Sequence, residues 1–261
     1  MLAIINSPPN TSNREILSAL YEGGRLRTVK VTFPEGLSIE EISDLLDPIK
    51  TDKTRFLELA YSDSLLKTRG IESGNVLGYL LPNTYEFFLY EKAENVIDRM
   101  LDANKNIWDK KNRIKLDQIN LTKHQVITLA SIVEAETPLK SEASIVAGLY
   151  QNRLKIGMRL QADPTIQYVL GRKKRVLYRD LEIDNPYNTY LYTGLPPGPI
   201  NNPGKRSIES VLNPAQHNYL FMVAKGDGSG KHYFSETNSQ HMSYVNKYRN
   251  TRDSIKQASK L

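Results

Sequence analysis

The chain has 261 residues, of which 39% are hydrophobic and 25% charged, enough for one large or two modest globular domains with a real core. It has no cysteine, which excludes disulfides and thiolate zinc sites, and its four histidines show no metal-ligand spacing, so we predict no metal and no cofactor. The net charge of +6 and the pI of about 9.2 favour polyanionic partners, while the lack of a recognition motif argues against nucleic acid.

The N-terminal region is predicted to pass from a flexible segment, residues 1–27, into ordered structure. No segment of the chain approaches the roughly 20 consecutive apolar residues that a transmembrane helix needs. The alternating β-branched residues of 28–33 predict a strand, and residues 34–36 predict a turn. Ser38 and Glu41 have the spacing of a capping box, which predicts a short helix that ends near residue 46.

The middle of the chain is predicted to be helical. Residues 53–61 and 93–112 have helical patterns, and the charge-rich stretch 109–115 is interpreted as a boundary between two parts of the protein. A further helix is expected from Thr122, which together with Gln125 fits a capping box. This helix should end near residue 136, because a proline follows at position 138.

The end of this helix carries two glutamates on an otherwise apolar sequence. Val126, Ala130 and Glu134 lie at i, i+4 and i+8, so Glu134 should project from an apolar stripe. A buried carboxylate is costly unless it has a partner or a role, and desolvation favours its protonated form. Glu134 is therefore our candidate for a general acid that acts on a glycosidic oxygen.

Glu136 follows two positions later and should point to a different side of the helix. The two glutamates are therefore not expected to flank one sugar bond as the usual pair of glycosidase carboxylates does. The alternative for either residue is that it only ends the helix and faces solvent or pairs with Lys or Arg.

The C-terminal half mixes helices, polar loops and a hairpin. Helices are predicted for residues 141–156, 207–212 and 239–258, and strands for residues 219–224 and 232–235. The Gly-rich loop between the two strands does not match a P-loop, because its lysine is followed by His and a strand rather than by Ser or Thr and a helix.

Seven ordered motifs follow one another along the chain. They are Gly78-Tyr-Leu-Leu-Pro-Asn-Thr-Tyr85, Leu129-Ala-Ser-Ile-Val-Glu-Ala-Glu-Thr137, Asn152-Arg-Leu-Lys-Ile-Gly-Met-Arg-Leu-Gln-Ala-Asp-Pro-Thr165, Tyr187-Asn-Thr-Tyr190, Thr193-Gly-Leu-Pro-Pro-Gly-Pro-Ile200, Asn202-Pro-Gly204 and His232-Tyr-Phe234. Together they resemble the YceG-like family of endolytic murein transglycosylases, and the resemblance extends over roughly residues 28–250. One motif has Asn83 where the family usually has Asp.

The resemblance implies a reaction and a catalytic residue. Such enzymes cleave the β-1,4 bond between MurNAc and GlcNAc inside glycan strands, and the C6 hydroxyl of MurNAc closes a 1,6-anhydro ring, which is expected to terminate elongation of nascent strands. The family's catalytic glutamate matches Glu134. Because the nucleophile belongs to the substrate, one glutamate can protonate the leaving oxygen and then accept the C6 proton.

The segments that follow Glu134 are predicted to build the substrate cleft. Aromatic faces, short polar side chains and a stiff proline-rich turn suit sugar rings and acetamido groups. The alternative is ordinary turn chemistry, and Asp163 in particular is either an electrostatic stabiliser or the cap of a helix that begins at the next residue. The predicted substrate-binding residues are Gln161, Asp163, Thr165, Tyr187, Asn188, Thr189, Tyr190 and Pro197.

The resemblance also implies the fold class and the domain organisation. We expect an α+β protein in which a small LysM-like subdomain with a helical connector, residues 28–115, holds the glycan strand. A mixed α/β YceG-like catalytic domain, residues 116–261, would place Glu134 at the base of a cleft.

The resemblance further implies a place in the cell and a set of partners. We expect peptidoglycan glycan strands as substrate, peptidoglycan synthases as further partners, and the bacterial cell envelope on the outer side of the cytoplasmic membrane as the location. Contact with the membrane is expected only through an N-terminal anchor, which is usual in the family and not visible in this sequence. Two alternative functions stay open: a non-catalytic peptidoglycan-binding scaffold of the wall-synthesis machinery, and a glycoside hydrolase with a second carboxylate close to Glu134.

Overall fold

The computed structural model of the protein describes residues 12–13, 28–72, 74–171 and 175–258. Apart from residues 12–13, the segment 1–27 that is predicted to be flexible lies outside the described residues. The described residues form helices and two small antiparallel sheets, as expected for an α+β protein. None of the helices in these ranges combines the length and the apolar character that crossing a membrane would require.

The first sheet joins two strands that are far apart in sequence. β1 (Thr28–Phe33) is confirmed with its predicted bounds, and it pairs antiparallel with β2 (Asn83–Phe88), so that Val31 lies opposite Tyr85. Alternate side chains of both strands are buried, including Phe33 and Phe87, whose rings pack edge to face. The strand β2 was not predicted from the sequence.

The helices of the N-terminal half are short and capped. The Ser38 capping box is present as predicted. The helical prediction for residues 93–112 is confirmed for most of the range, but the range holds two helices. The side chain of Asp109 accepts a hydrogen bond from the backbone N–H of Asn112 and begins the second helix. The helices are α1 (Ile39–Asp44), α2 (Lys53–Ala60), α3 (Asp63–Arg69), α4 (Ala93–Lys105) and α5 (Lys110–Gln118).

The C-terminal half is built around one buried helix, α6, which contacts α7, α8 and α9. Its predicted capping box between Thr122 and Gln125 is confirmed. A helix, α8, is present where Asp163 was considered as a possible cap, but it begins at Asp163 itself, one residue earlier than that alternative expected. The elements are α6 (Lys123–Glu136), α7 (Ala143–Lys155), α8 (Asp163–Val169), α9 (Lys205–Leu212), β3 (Phe221–Ala224), β4 (His232–Ser235) and α10 (Asn238–Ala258).

The two halves share one continuous hydrophobic core. His124 at the start of α6 links two distant motifs, because its Nδ1 lies 2.9 Å from the Tyr79 hydroxyl and its Nε2 lies 2.8 Å from the Pro197 carbonyl oxygen. Gly78 packs so closely against Pro199 that a Cβ at this glycine would lie 2.3 Å from the proline Cγ. These contacts hold the end of the N-terminal half against the helix that carries Glu134.

Candidate active site

The last turn of α6 is fixed by the segment that leads into α9. Ser131 of α6 accepts a hydrogen bond from the N–H of Ile200 on its hydroxyl at 3.0 Å. The carbonyl of the same serine accepts a hydrogen bond from the side-chain amide of Asn201 at 2.8 Å. These contacts lie one helical turn before Glu134. Because Ile200 and Asn201 lead into α9, the contacts fix the position of α9 relative to the Glu134 carboxyl group.

The Glu134 carboxyl group is bound at the N-terminus of α9. Its Oε2 accepts hydrogen bonds from the N–H of Gly204 at 3.0 Å and from the Ser207 hydroxyl at 2.7 Å. Its Oε1 lies 3.8 Å from the guanidinium of Arg206, and the side chain is only 8% exposed. One oxygen is therefore held by two donors, whereas the other accepts no hydrogen bond from the described residues.

The surroundings of Glu134 are more polar than predicted. The apolar stripe of α6 is buried as expected, but the glutamate at its end contacts the backbone, hydroxyl and guanidinium groups of α9. A carboxyl group at a helix N-terminus is stabilised by the helix dipole and by N–H groups without partners in the helix. The Nε of Arg206 is buried and has no hydrogen-bond partner in the described part of the chain.

Glu136 faces another direction, as predicted, and contacts α7. Its Oε1 accepts a hydrogen bond from the Tyr150 hydroxyl at 2.6 Å. Burial raises the pKa of the Glu136 carboxyl to about 7, with Asp163 adding to the rise and the Tyr150 hydrogen bond opposing it. The alternative of a solvent-facing helix end is therefore wrong for Glu136. Its carboxyl group is instead partly buried and hydrogen-bonded to Tyr150.

The burial of Glu136 predicts a dependence of stability on pH. Between the ordinary pKa of 4.5 and the folded-state value of about 7, the unfolded chain has released this proton while the folded protein still binds it. The contribution of Glu136 to the free energy of unfolding should therefore fall by roughly 3 kcal/mol as the pH rises through this window. Glu136→Gln should remove this loss, because a glutamine side chain does not titrate. The variant should still fold, because Tyr150 can donate to the amide oxygen. Thermal melting at pH values below 4.5 and above 7 measures the effect.

Glu182→Gln is the control for this experiment, because Glu182 is exposed. The quantity to compare is the melting temperature of Glu136→Gln minus that of the unaltered protein. We expect this difference to be larger above pH 7 than below pH 4.5. Glu182→Gln should show no such change. A difference that is equal at both pH values would contradict the assigned titration of Glu136.

The structure brings the two predicted substrate-binding segments together. The N–H of Gln161 donates to the Thr189 carbonyl at 3.0 Å, and the Thr165 and Thr189 hydroxyls lie 2.9 Å apart. Thr165, Thr189 and Asn188 are buried, and the Asn188 amide donates to the carbonyls of Leu181 and Ile183. These three side chains support the loop from inside, and their direct contact with a substrate stays a prediction.

The outer surface of this region presents the remaining predicted residues. The Tyr190 hydroxyl donates to Oδ1 of Asp163, a residue of the first turn of α8 and not its cap. The Tyr187 ring packs against that of Tyr168 with centroids 4.7 Å apart. Burial raises the pKa of both Tyr187 and Tyr190, so both hydroxyls stay protonated. Gln161, Asp163 and Pro197 are exposed.

The sequence pattern did not indicate a second carboxylate, which lies beside Glu134. Glu35, which was interpreted only as part of a turn, lies beside Gly204 together with Glu134. A Cβ built on this glycine would be 3.2 Å from Oε1 of Glu35 and 3.3 Å from Oε2 of Glu134. Arg206 and Ser207 were not predicted either, because no local pattern in the sequence links α9 to a glutamate some 70 positions earlier.

A depression in the surface lies apart from this site. An open depression of about 450 Å³ lies along α4, and it is lined by Tyr85, Asn95, Asp98, Arg99, Asp102, Ala103 and Asn106. It includes none of the predicted site residues. Within the described ranges, no cluster of three or more His, Asp or Glu side chains is arranged to hold a metal ion.

Comparisons with known proteins identify relatives over most of the chain. The sequence profile of the YceG-like family matches residues 6–247. The endolytic murein transglycosylase of Bacillus subtilis strain 168 is 33% identical over 251 residues, which cover 89% of this chain and 69% of that protein. The endolytic murein transglycosylase of Streptococcus pneumoniae D39 is 28% identical over 269 residues, which cover 90% of this chain and 48% of that protein.

A solved structure shows the same fold. The 2.6 Å crystal structure of a yceG-like protein from Listeria monocytogenes superposes with a TM-score of 0.74 at 34% sequence identity. The match covers 88% of this chain and 80% of the Listeria chain. The chain thus spans most of the Listeria structure but about half the length of the pneumococcal relative.

Proposed function

Because the chain belongs to the YceG-like family, we propose that it is an endolytic lytic transglycosylase of peptidoglycan. Its curated relatives carry the name endolytic murein transglycosylase. The proposed reaction cleaves the β-1,4 bond between MurNAc and GlcNAc within a glycan strand and leaves a 1,6-anhydro-MurNAc end. Cleavage of this kind would terminate the elongation of nascent strands.

Glu134 is the proposed general acid. Its proton passes to the O4 atom of GlcNAc as the bond from that oxygen to C1 of MurNAc breaks. The positive charge that develops on C1 and the ring oxygen is captured by O6 of the same sugar, and O6 loses its proton. In the minimal scheme the Glu134 carboxylate accepts that proton, so the enzyme returns to its starting state and no water is consumed.

The fixed geometry of the Glu134 carboxyl group carries this proposal. Two donors hold Oε2, which sets the orientation of the group, while Oε1 has no hydrogen bond from the described residues and is available to a substrate oxygen. Such orientation by rigid neighbours is what acid catalysis requires of a side chain. The guanidinium of Arg206 beside Oε1 can stabilise the carboxylate after the proton has left.

The neighbouring loops are proposed to bind the glycan strand. Exposed side chains such as Gln161, Asp163 and Pro197 would contact sugar hydroxyl or acetamido groups, and Tyr187 and Tyr190 would offer ring faces. The buried side chains of the same loops would keep these groups in place. Thr165, Asn188 and Thr189 are assigned this supporting role.

The domain organisation is part of the proposal. Residues 28–115 would form a LysM-like subdomain with its helical connector, and residues 116–261 the catalytic domain. The strand β1, the turn after it and the capped helix α1 support the LysM-like assignment. The shared core and the contacts of Gly78 and His124 indicate that the two parts act as one unit.

We propose the bacterial cell envelope, on the outer side of the cytoplasmic membrane, as the place of action. Peptidoglycan is a polyanionic polymer through its stem peptides and attached groups, and the net charge of +6 is suited to it. Peptidoglycan synthases are the proposed protein partners, because an enzyme that ends nascent strands must act where strands are made. A membrane anchor would bring the site to that location.

Mass spectrometry of the soluble products tests the proposed function. Purified protein incubated with peptidoglycan should release internal fragments that end in 1,6-anhydro-MurNAc. Reducing ends at the same positions would show a hydrolase instead. Binding to peptidoglycan without any product would favour the non-catalytic scaffold of the wall-synthesis machinery.

A further inference from the structure

We propose that Glu35 is a second catalytic carboxylate of this site and accepts the proton of the MurNAc C6 hydroxyl. This inference rests on the proposed transglycosylase reaction and assigns its base to a residue of the N-terminal part. The observation behind it is that the side chains of both glutamates lie close to the same position, the one that a Cβ on Gly204 would occupy. A Cβ at this glycine would be 2.7 Å from Cγ of Glu35 and 3.3 Å from Oε2 of Glu134.

The turn that carries Glu35 is fixed by Asn202, which is fully buried. The Asn202 side chain donates to the Pro34 carbonyl at 3.0 Å and accepts from the N–H of Leu37 at 2.6 Å. The Asn202 carbonyl accepts from the N–H of Gly36 at 3.1 Å, and the Asn202 N–H donates to the Leu37 carbonyl at 3.3 Å. The turn is thus bound on both sides of Glu35 by a residue two positions before Gly204.

This arrangement fixes Glu35 relative to Glu134 through a short path. Asn202 follows Asn201, whose side chain is hydrogen-bonded to Ser131 of α6, and Ser131 lies on the helix that carries Glu134. A side chain on an ordinary surface turn would not be tied to the catalytic helix in this way. The structure therefore gives the N-terminal part a position in the active site itself.

The Glu35 carboxylate is available for chemistry. The residue is exposed, and in the portion of the chain that the structure describes no hydrogen bond or ion pair engages its carboxylate. Charged groups that lie near it are Glu134 from α6 and, beside Glu134, Arg206 from α9. Because no described protein group engages it, this carboxylate can accept a proton from a bound substrate.

The stereochemistry of the proposed reaction requires two proton transfers on one face of the sugar. In the 1,6-anhydro product, O6 is attached to the same β face of C1 from which O4 of GlcNAc departs. Glu134 gives its proton to O4 as the C1–O4 bond breaks, and Glu35 takes the O6 proton as the C1–O6 bond forms. Both glutamates then exchange one proton with water, so atoms and charge balance. Two carboxylates that lie beside one glycine suit this requirement better than two on opposite sides of a sugar.

Glu35→Gln tests the inference in the intact protein on peptidoglycan. We expect kcat to fall about 10²-fold or more with little change in KM, because the base is lost and the side chain keeps its size. The loss of activity at low pH, which reports the group that must be ionised, should disappear from the pH profile of kcat/KM. Formate should partly restore turnover to Glu35→Ala, because it can occupy the space of the missing carboxylate.

Glu40→Gln is the matched control, because Glu40 is an exposed glutamate of α1, five positions away in the same part of the protein. It should retain the activity of the unaltered protein. A Glu35→Gln variant with kcat within threefold of the unaltered protein would overturn the inference. A second outcome would also overturn the inference. In it, Glu35→Gln is slow but keeps the loss of activity at low pH, and formate does not restore turnover to Glu35→Ala. If the unaltered protein forms no 1,6-anhydro product, the proposed function fails instead.

Discussion

Glu134→Gln is expected to leave the protein folded and to abolish nearly all glycan cleavage, with a rate loss of about 10²–10⁴-fold or greater. The glutamine oxygen can still accept hydrogen bonds from Gly204 and Ser207, so the end of α6 should keep its contacts with α9. An amide cannot supply the proton that the leaving O4 requires. The measurement is the release of 1,6-anhydro fragments from peptidoglycan over time, followed by mass spectrometry.

The control for this variant lies on the helix that binds Glu134. Glu209 of α9 is 45% exposed and pairs loosely with Lys205, so Glu209→Gln should retain activity within about twofold. Thermal melting of both variants would show that any loss of activity comes from chemistry and not from unfolding. A Glu134→Gln protein with normal turnover would refute the assignment of the general acid.

Local patterns were sufficient to predict the helix that carries the catalytic candidate. The capping box of Thr122 and Gln125 and the apolar run that follows them determine the start and the buried face of α6, and both are confirmed. Such signals act within one or two helical turns, so a single sequence contains them. The strand β1 and the capped helix α1 were predicted for the same reason.

The errors concern structure that depends on distant residues. β2 exists because β1 pairs with it across a separation of 50 to 60 positions, and its own sequence had been interpreted only as a motif. The helix predicted for 93–112 was divided by the cap at Asp109, a local signal that the overall helical pattern concealed. Element type was thus predicted better than element boundaries.

In the candidate site, too, features set by local sequence were predicted and features set by distant residues were not. The sequence indicated Glu134 and the direction of Glu136, because both follow from position on one helix. It could not indicate that Gly204 and Ser207 bind Glu134, or that Glu35 lies beside it, because these contacts join residues 70 or more positions apart. The fold, through Asn202 and the turn that it binds, creates the part of the site that the sequence did not predict.

Gly78→Ala is expected to destabilise the protein by about 1–3 kcal/mol or more, because no space exists for one additional carbon atom. The new Cβ would lie 2.3 and 2.5 Å from Cγ and Cβ of Pro199 and 2.8 Å from Cγ2 of Ile127. A proline ring cannot rotate away, and Ile127 is fully buried in α6. For a protein of this size, each kcal/mol lowers the melting temperature by about 2–4 °C.

Gly74→Ala provides the matched control for the packing argument. It is the same substitution four positions earlier, where nothing lies within 4 Å of the added Cβ. We expect Gly74→Ala to melt within about 1 °C of the unaltered protein, because surface substitutions of this kind usually change stability by less than 0.5 kcal/mol. Equal melting temperatures for the two variants would mean that Pro199 and α6 can move away from the added Cβ without a loss of stability. The contact of Gly78 would then not hold the N-terminal half against the catalytic helix, and the fixed position of the Glu134 carboxyl group would depend on α9 alone.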